Sequence, residues 1–214
     1  VGFRPFVAKV ADRLDMNGEV LNLGGLVQLT LTDTKERIDA FLDILKAEKP
    51  GPAEIVHISR QMVPTRPFQG FSIGSSQEVA LSEEEAVMIP ADLSICPDCL
   101  AEMHDKNNRR HRHPFISCMA CGPRYTIIDR VPYDRPNTSM VDFPMCARCQ
   151  QEYTTLSDRR YHAQTISCHD CGPMMLVRTA GKGQGASDVQ PDPWLETATA
   201  ILKKGGVIGM KAMG

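Results

Sequence analysis

The sequence predicts an α+β protein in three parts: a small α/β unit over residues 1–75, a loop-rich duplicated cysteine module, and the start of a further α/β domain. Three observations carry this prediction. Helical and strand-like patterns alternate through the first 75 residues, all eight cysteines lie between Cys96 and Cys171, and a helix pattern followed by a short apolar run occupies residues 193–214.

In the first part, Phe3, Phe6, Val7, Val10, Ala11 and Leu14 recur at helical spacing, so one helix face is apolar. Val20 and Leu21 lead through Asn22 and a turn at Gly24-Gly25 into residues 26–31, which alternate apolar and polar as a hairpin strand does. Asp33 and Glu36 read as the cap pair of a second helix carrying Ile38, Phe41, Leu42 and Leu45, and Pro50-Gly51-Pro52 stops it. Ile55 to Val63 and Phe68 to Ile73 read as two more strands. The series is a split β-α-β pattern without its first strand.

Residues 76–95 hold Ser82-Glu83-Glu84-Glu85 and little periodicity, so they read as a linker. The module spans 96–173, and a second linker or hairpin covers 174–192, where the small, polar, Gly-rich stretch 178–192 suits a flexible loop. Asp192 then caps a helix with Pro193 at its first position, Leu195, Ala198, Ile201 and Leu202 on its apolar face, and Gly205 at its end. Gly206 to Met210 reads as a strand.

Composition excludes several classes. With 214 residues, 42 % hydrophobic, no run approaches the ~18 apolar residues of a spanning helix, and a membrane protein is not expected. The formal charge of −2 disfavours a basic nucleic-acid binder. The opening Val1-Gly2-Phe3-Arg4 has neither a charged n-region nor an apolar h-region, so the expected compartment is the cytoplasm. Thiols there stay free or bind metal.

The cysteines form an internal repeat with a shift of 50 residues: Cys96-x2-Cys99-x18-Cys118-x2-Cys121 recurs as Cys146-x2-Cys149-x18-Cys168-x2-Cys171. The repeat also keeps Glu102/Glu152, Arg109/Arg159, Arg110/Arg160, Ile116/Ile166, Ser117/Ser167, Gly122/Gly172 and Pro123/Pro173, which points to duplication. Two residues between thiolates let one turn present both sulfurs to a single ion, and four thiolates satisfy Zn(II). The expectation is two closed, structural zinc sites over 96–121 and 146–171, since no ligand position is left for catalytic water. Pairing within each repeat and an interleaved pairing, in which the first and fourth pairs share an ion, both fit the spacing. A disulfide framework and redox CxxC chemistry are the competing uses of the thiols. The Gly after the second Cys of each downstream pair suits a turn whose amides point at sulfur.

Zinc modules often bind nucleic acid, so the module's charge matters. Ten Lys and Arg face nine Asp and Glu, and two tetrathiolate sites at −2 each bring it to about −3. The basic clusters at 109–113 and 158–162 are then either solvated arms that offset the sites or contacts for an anionic ligand or neighbouring domain. Gly2-Phe3-Arg4 opens the first helix, where free amides and the dipole favour an anion and Arg4 can grip two phosphate oxygens.

Val1-Gly2-Phe3-Arg4-Pro5-Phe6-Val7 resembles the second half of the acylphosphatase phosphate loop, and Gly18-Glu19-Val20-Leu21-Asn22 resembles that family's segment with the catalytic Asn. The resemblance implies a ferredoxin-like, acylphosphatase-like domain in which Gly2, Phe3 and Arg4 bind the substrate phosphate and Asn22 orients the attacking water. It also implies that a first strand and a Gln-Gly belong before Val1, so that residues 1–75 fold poorly alone. An acylphosphatase-like domain, two four-cysteine repeats ending CxxCGP and a YrdC-like start together resemble the HypF family, carbamoyltransferases of nickel–iron hydrogenase maturation. Cys96-Pro97-Asp98-Cys99-Leu100, Pro123-Arg124-Tyr125-Thr126-Ile127, Pro132-Tyr133-Asp134-Arg135-Pro136 and residues 158–164 match its pattern. That resemblance implies cleavage of carbamoyl phosphate, activation of carbamate with ATP and Mg as carbamoyl adenylate, and transfer to a HypE cysteine. The ATP and transfer sites are expected outside these residues, the chain reads as an inactive internal fragment of a longer protein, and RNA binding is known among YrdC-like relatives. A non-catalytic zinc scaffold, as in DnaJ-like modules, is the alternative, although those modules carry CxxCxGxG units.

Overall fold

The computed structural model describes residues 2–23, 26–51, 53–76, 91–177 and 193–211. Helix α1 (Phe3–Arg13) forms where the apolar residues recur three and four apart, and it buries Val7, Ala8, Val10 and Ala11. Strand β1 (Asn17–Leu23) returns antiparallel to the helix and pairs with β2 (Leu26–Thr32) from Asn17 opposite Thr32 to Leu23 opposite Leu26. The Gly24-Gly25 turn inferred between them lies outside the described residues. Gly18 is required by close approach, because a Cβ there would stand 2.2 Å from the Thr30 carbonyl oxygen.

Helix α2 (Lys35–Glu48) is capped one residue later than the Asp33–Glu36 pattern suggested. Thr34 is the N-cap, accepting from the Arg37 N–H at 3.4 Å, while Asp33 accepts from the Thr34 N–H and the Arg37 Nε instead. A short strand β3 (Phe71–Ile73) lies parallel to β1, giving the sheet order β2-β1-β3. The helices pack on one face of this sheet. Val7, Val10, Ala11, Met16, Val20, Phe41, Leu42 and Leu45 form the core, with Leu29, Leu31, Phe71 and Ile73 at its edge.

Two expected strands do not form. Residues 53–68 carry no ladder, and Val56 and Met62 are 87 % and 99 % exposed. Alternation alone does not make a strand, since its N–H and C=O groups need a neighbour, and none pairs with Ile55 to Val63 among the described residues. For the same reason Gly206 to Met210 stays irregular, with Val207 93 % exposed.

The cysteine module is less loop-like than its composition suggests. Helices α3 (Pro97–His104) and α4 (Ala147–Thr154) start directly after Cys96 and Cys146, which act as their N-caps. Three 3₁₀ turns, Tyr125–Ile127, Arg135–Asn137 and Ser139–Asp142, connect the repeats. Asp92 and Leu93 fold onto the first repeat: Leu93 exchanges two backbone hydrogen bonds with Gly122, and the Asp92 carboxylate accepts from the amides of Arg124 and Thr126. Helix α5 (Pro193–Lys203) ends in a Schellman motif, with the Gly206 N–H bonded to the Ile201 carbonyl and the Gly205 N–H to that of Leu202. Gly205 takes φ +74°, which a Cβ disfavours. Asp192 and the loop 178–192 lie outside the described residues, and no helix among those described is long and apolar enough to cross a membrane.

The first core is small and centred on Phe41, which is fully buried. Phe41→Ala should lower the unfolding free energy by about 3–5 kcal/mol, read from urea denaturation followed by circular dichroism.

Candidate metal centres and phosphate site

The eight thiols gather in two sets of four, Cys96, Cys99, Cys118, Cys121 and Cys146, Cys149, Cys168, Cys171, with the sulfurs of each set within 4.8 Å of one another. Each repeat therefore supplies its own set. The short sulfur–sulfur distances are 3.7 and 3.8 Å in the first and 3.6, 3.7 and 3.8 Å in the second. A disulfide would need about 2.05 Å. A tetrahedron of sulfurs about 2.3 Å from a central ion has edges of about 3.8 Å, so the spacing and the all-thiolate donor set fit zinc.

Local turns aim the sulfurs. The Cys99 N–H points at Cys96 Sγ at 3.5 Å and the Ala120 N–H at Cys118 Sγ at 3.3 Å. The glycine amides do not do this, contrary to the expectation above: the Gly122 N–H bonds the Leu93 carbonyl and the Gly172 N–H the Cys168 carbonyl. Glycine stands there because the chain doubles back on the preceding serine. A Cβ on Gly122 would lie 2.7 Å from Ser117 Cβ, and one on Gly172 would lie 2.6 Å from Ser167 Cβ.

The arginine pairs of the basic clusters are not solvated arms, although Arg112 beside the first pair is an exposed partner of Glu196. Arg110 and Arg160 are 2 % and 4 % exposed, and each arginine pair reaches across to the other repeat. Arg109 and Arg110 donate to Cys149 Sγ at 3.2 and 3.5 Å and to the Glu152 carboxylate, while Arg110 Nε bonds the Ser167 carbonyl at 2.8 Å. In return Arg159 and Arg160 donate to Cys99 Sγ at 2.9 and 3.9 Å and to Glu102, and Arg160 Nε bonds the Ser117 carbonyl at 3.0 Å. The repeats thus embrace by a pseudo-twofold exchange, an isologous interface within one chain. Burial alone would raise the pKa of Glu102 and Glu152, but the facing guanidiniums hold both below the ordinary carboxylate value.

His113 breaks the symmetry, since Ala163 is its counterpart. It is fully buried, its Nε2 is 3.0 Å from Ser167 Oγ, and it takes no part in either thiol set. Burial, His169 and the surrounding arginines push its pKa down to about 3, so the ring is neutral at pH 7.

At the other end of the chain, Gly2 is the N-cap of α1 at φ +72°, packed so closely on the module that a Cβ would reach Met119 Cγ at 3.0 Å. The first intrahelical bond runs from the Phe6 N–H to the Gly2 carbonyl, so the amides of Phe3 and Arg4 precede it. The Phe3 side chain packs on the core. Arg4 donates from Nη1 to Ser76 Oγ at 2.7 Å and from Nη2 to the Asp134 carboxylate. Asn22 is on β1 two residues after buried Val20, hence on the helix-facing side.

The roles of Glu102, Glu152 and the four arginines were not drawn from sequence, although the duplication already singled out these positions. Ser76 and Asp134 gave no signal as partners of Arg4, being 72 and 130 residues away.

Comparison with known proteins covers most of the chain. Residues 1–73 match the family model described as acylphosphatase, and residues 95–128 and 145–177 match that described as HypF finger. The probable carbamoyltransferase HypF of Methanocaldococcus jannaschii is 44 % identical over 138 residues, covering 64 % of this chain and 18 % of the relative. Carbamoyltransferase HypF2 of Cupriavidus necator is 43 % identical over 215 residues, covering 100 % of this chain and 26 % of the relative. The crystal structure of full-length HypF in the phosphate- and nucleotide-bound form superposes with a TM-score of 0.84 at 36 % identity, covering 100 % of this chain and 27 % of that one. The chain thus spans about a quarter or less of these proteins.

Two expectations follow from the cross-repeat contacts. Zinc-loaded protein should hold two ions, and Arg160→Leu, in the second repeat, should speed chelator-driven loss from the first site about tenfold while the second site is retained, as mapped by thiol labelling. Because the unfolded state charges His113 below pH 6.5 and the folded state does not until about 3, His113 removes stability as pH falls through that window. Between pH 7.5 and 5.5 the zinc-loaded protein should lose about 1.4 kcal/mol more than His113→Gln in urea denaturation.

Proposed function

The chain belongs to the HypF carbamoyltransferase family, and on that premise we propose that its first domain cleaves carbamoyl phosphate while its two four-cysteine sites hold structural zinc. The observation that carries the reading is Arg4, on the first turn of α1, with two of its five N–H groups engaged among the described residues. The remaining donors suit the oxygens of a phosphoryl group, and the amides at the helix start add to the same field. In hydrolysis, charge builds on the equatorial phosphoryl oxygens as water attacks phosphorus; Arg4 offsets that charge and Asn22 holds the water in line. Gly2 and Phe3 supply the close backbone approach.

In this reading the zinc would shape the module and perform no chemistry, because all four ligand positions of each site are thiolate. Carbamate released at the first site would be activated with ATP and Mg as carbamoyl adenylate, then passed to a cysteine of HypE as precursor of the hydrogenase cyanide ligands. No residue of this chain is assigned to those two later steps. Carbamate is short-lived in water, which favours enclosed passage between sites. Nucleic acid is not an expected partner of residues 96–173, since Arg109, Arg110, Arg159 and Arg160 are committed to thiolate and carboxylate. The reducing cytoplasm is the compartment that suits eight unpaired thiols.

Phosphate release from carbamoyl phosphate by the zinc-loaded full-length protein tests the reading. Arg4→Ala should cut kcat/KM by about 100-fold or more, and Asn22→Ala should lower kcat with little change in KM. Unchanged release in both variants would leave the module as a zinc scaffold without this chemistry.

A further inference from the structure

We propose that Asp134 is a positioning residue for Arg4, so that the cysteine module completes the phosphate site of the first domain. This rests on the reading of Arg4 as the phosphate-binding arginine and adds a partner to it. The Arg4 guanidinium is tied at two points: Nη1 to Ser76 Oγ at 2.7 Å and Nη2 to the Asp134 carboxylate. Ser76 follows β3 in the first domain and Asp134 lies in the connection between the repeats, so the arginine is held from both sides of the interface. Two engaged donors fix the plane of the guanidinium, and the other three, without a partner among the described residues, suit phosphate oxygens. The ion pair is partly shielded, with side-chain exposures of 15 % and 23 %.

Asp134 is itself firmly carried. Its N–H bonds the Pro132 carbonyl at 2.9 Å, and its carbonyl accepts from Asn137 at 2.8 Å. The next residue, Arg135, is buried in the second repeat, donating from Nη1 to the carbonyls of Gln164 and Ile166 at 2.7 and 2.9 Å while its N–H bonds Gln164 Oε1 at 2.8 Å. The Asp134 backbone is thus bolted to the repeat that holds Cys149 and Cys168. Lys9 Nζ on the Asp158 carbonyl at 3.0 Å and Gly2 against Met119 fix the start of α1 on the same surface. His162, near this pair, takes φ +54°, but Arg112 at the equivalent position of the first repeat takes φ +57°; that strain belongs to the repeat's turn and not to the site.

The alternative role for Asp134 is a shutter that phosphate displaces, and the two roles give opposite signs. The test measures the inhibition constant of inorganic phosphate and the kcat/KM for carbamoyl phosphate in zinc-loaded full-length protein carrying Asp134→Asn, Asp134→Glu, Arg4→Ala or Arg4→Ala with Asp134→Asn. Asp134→Asn should weaken phosphate binding and lower kcat/KM about tenfold with two zinc ions retained, Asp134→Glu should recover most of the loss, and Asp134→Asn should add nothing to Arg4→Ala. Unchanged or tighter phosphate binding in Asp134→Asn would overturn the proposal, as would a further loss in the double variant. An unchanged Arg4→Ala protein would instead overturn the role of Arg4 on which the proposal stands.

Discussion

A four-thiolate site is a buried negative charge, and the exchange of arginines between the repeats is what the rest of the module depends on. Each metallated set would carry −2, too much to leave uncompensated in a protein interior. Neither repeat places its own arginine pair on its own sulfurs. Arg109 and Arg110 serve Cys149, Arg159 and Arg160 serve Cys99, and a glutamate from the receiving repeat completes each cluster. Separating the repeats would strand both arginine pairs and both thiolate sets, so the halves are bound to fold as one body.

That body then determines what surrounds it. The connection between the repeats is anchored by Arg135 to the second repeat, which fixes where Asp134 sits and, through it, the side chain of Arg4. The chain of cause runs from a duplicated four-cysteine motif to the side-chain geometry of Arg4, over 90 residues earlier. The first domain contributes a modest core around Phe41 and Val20 and leaves the apolar side chains of Leu26, Val56 and Met62 exposed. Much of the order around the N-terminus of α1 comes from its contact with the module.

Local rules carried far in some regions and failed in others for identifiable reasons. The period of α1 and α2, the hairpin register and the glycine stop at Gly205 are decided within a few residues, and each was readable. The N-cap of α2 moved from Asp33 to Thr34 because Asp33 is drawn to the Arg37 side chain, a choice between two competent caps that only packing makes. Ile55 to Val63 and Gly206 to Met210 have strand-like composition but no paired neighbour, and a strand is a property of a pair. Helices α3 and α4 are hidden in the sequence because each starts on a cysteine: at α3 the Cys96 thiol accepts the Cys99 N–H and does the work usually read from Ser or Asp, while at α4 Cys146 makes no side-chain cap bond.

By itself, the sequence determined which thiols stand two residues apart, which positions are duplicated, and where a glycine and an arginine open a helix, because all of these are properties of short spacing. The tertiary structure alone decided what the charges meet. That Arg159 faces Cys99 and not Cys149, that His113 sits neutral beside Ser167, and that Arg4 is held by Asp134 are outcomes of burial across separations of 54 to 130 residues. Electrostatic partners are chosen by the shape that brings them together, and no local pattern encodes that choice.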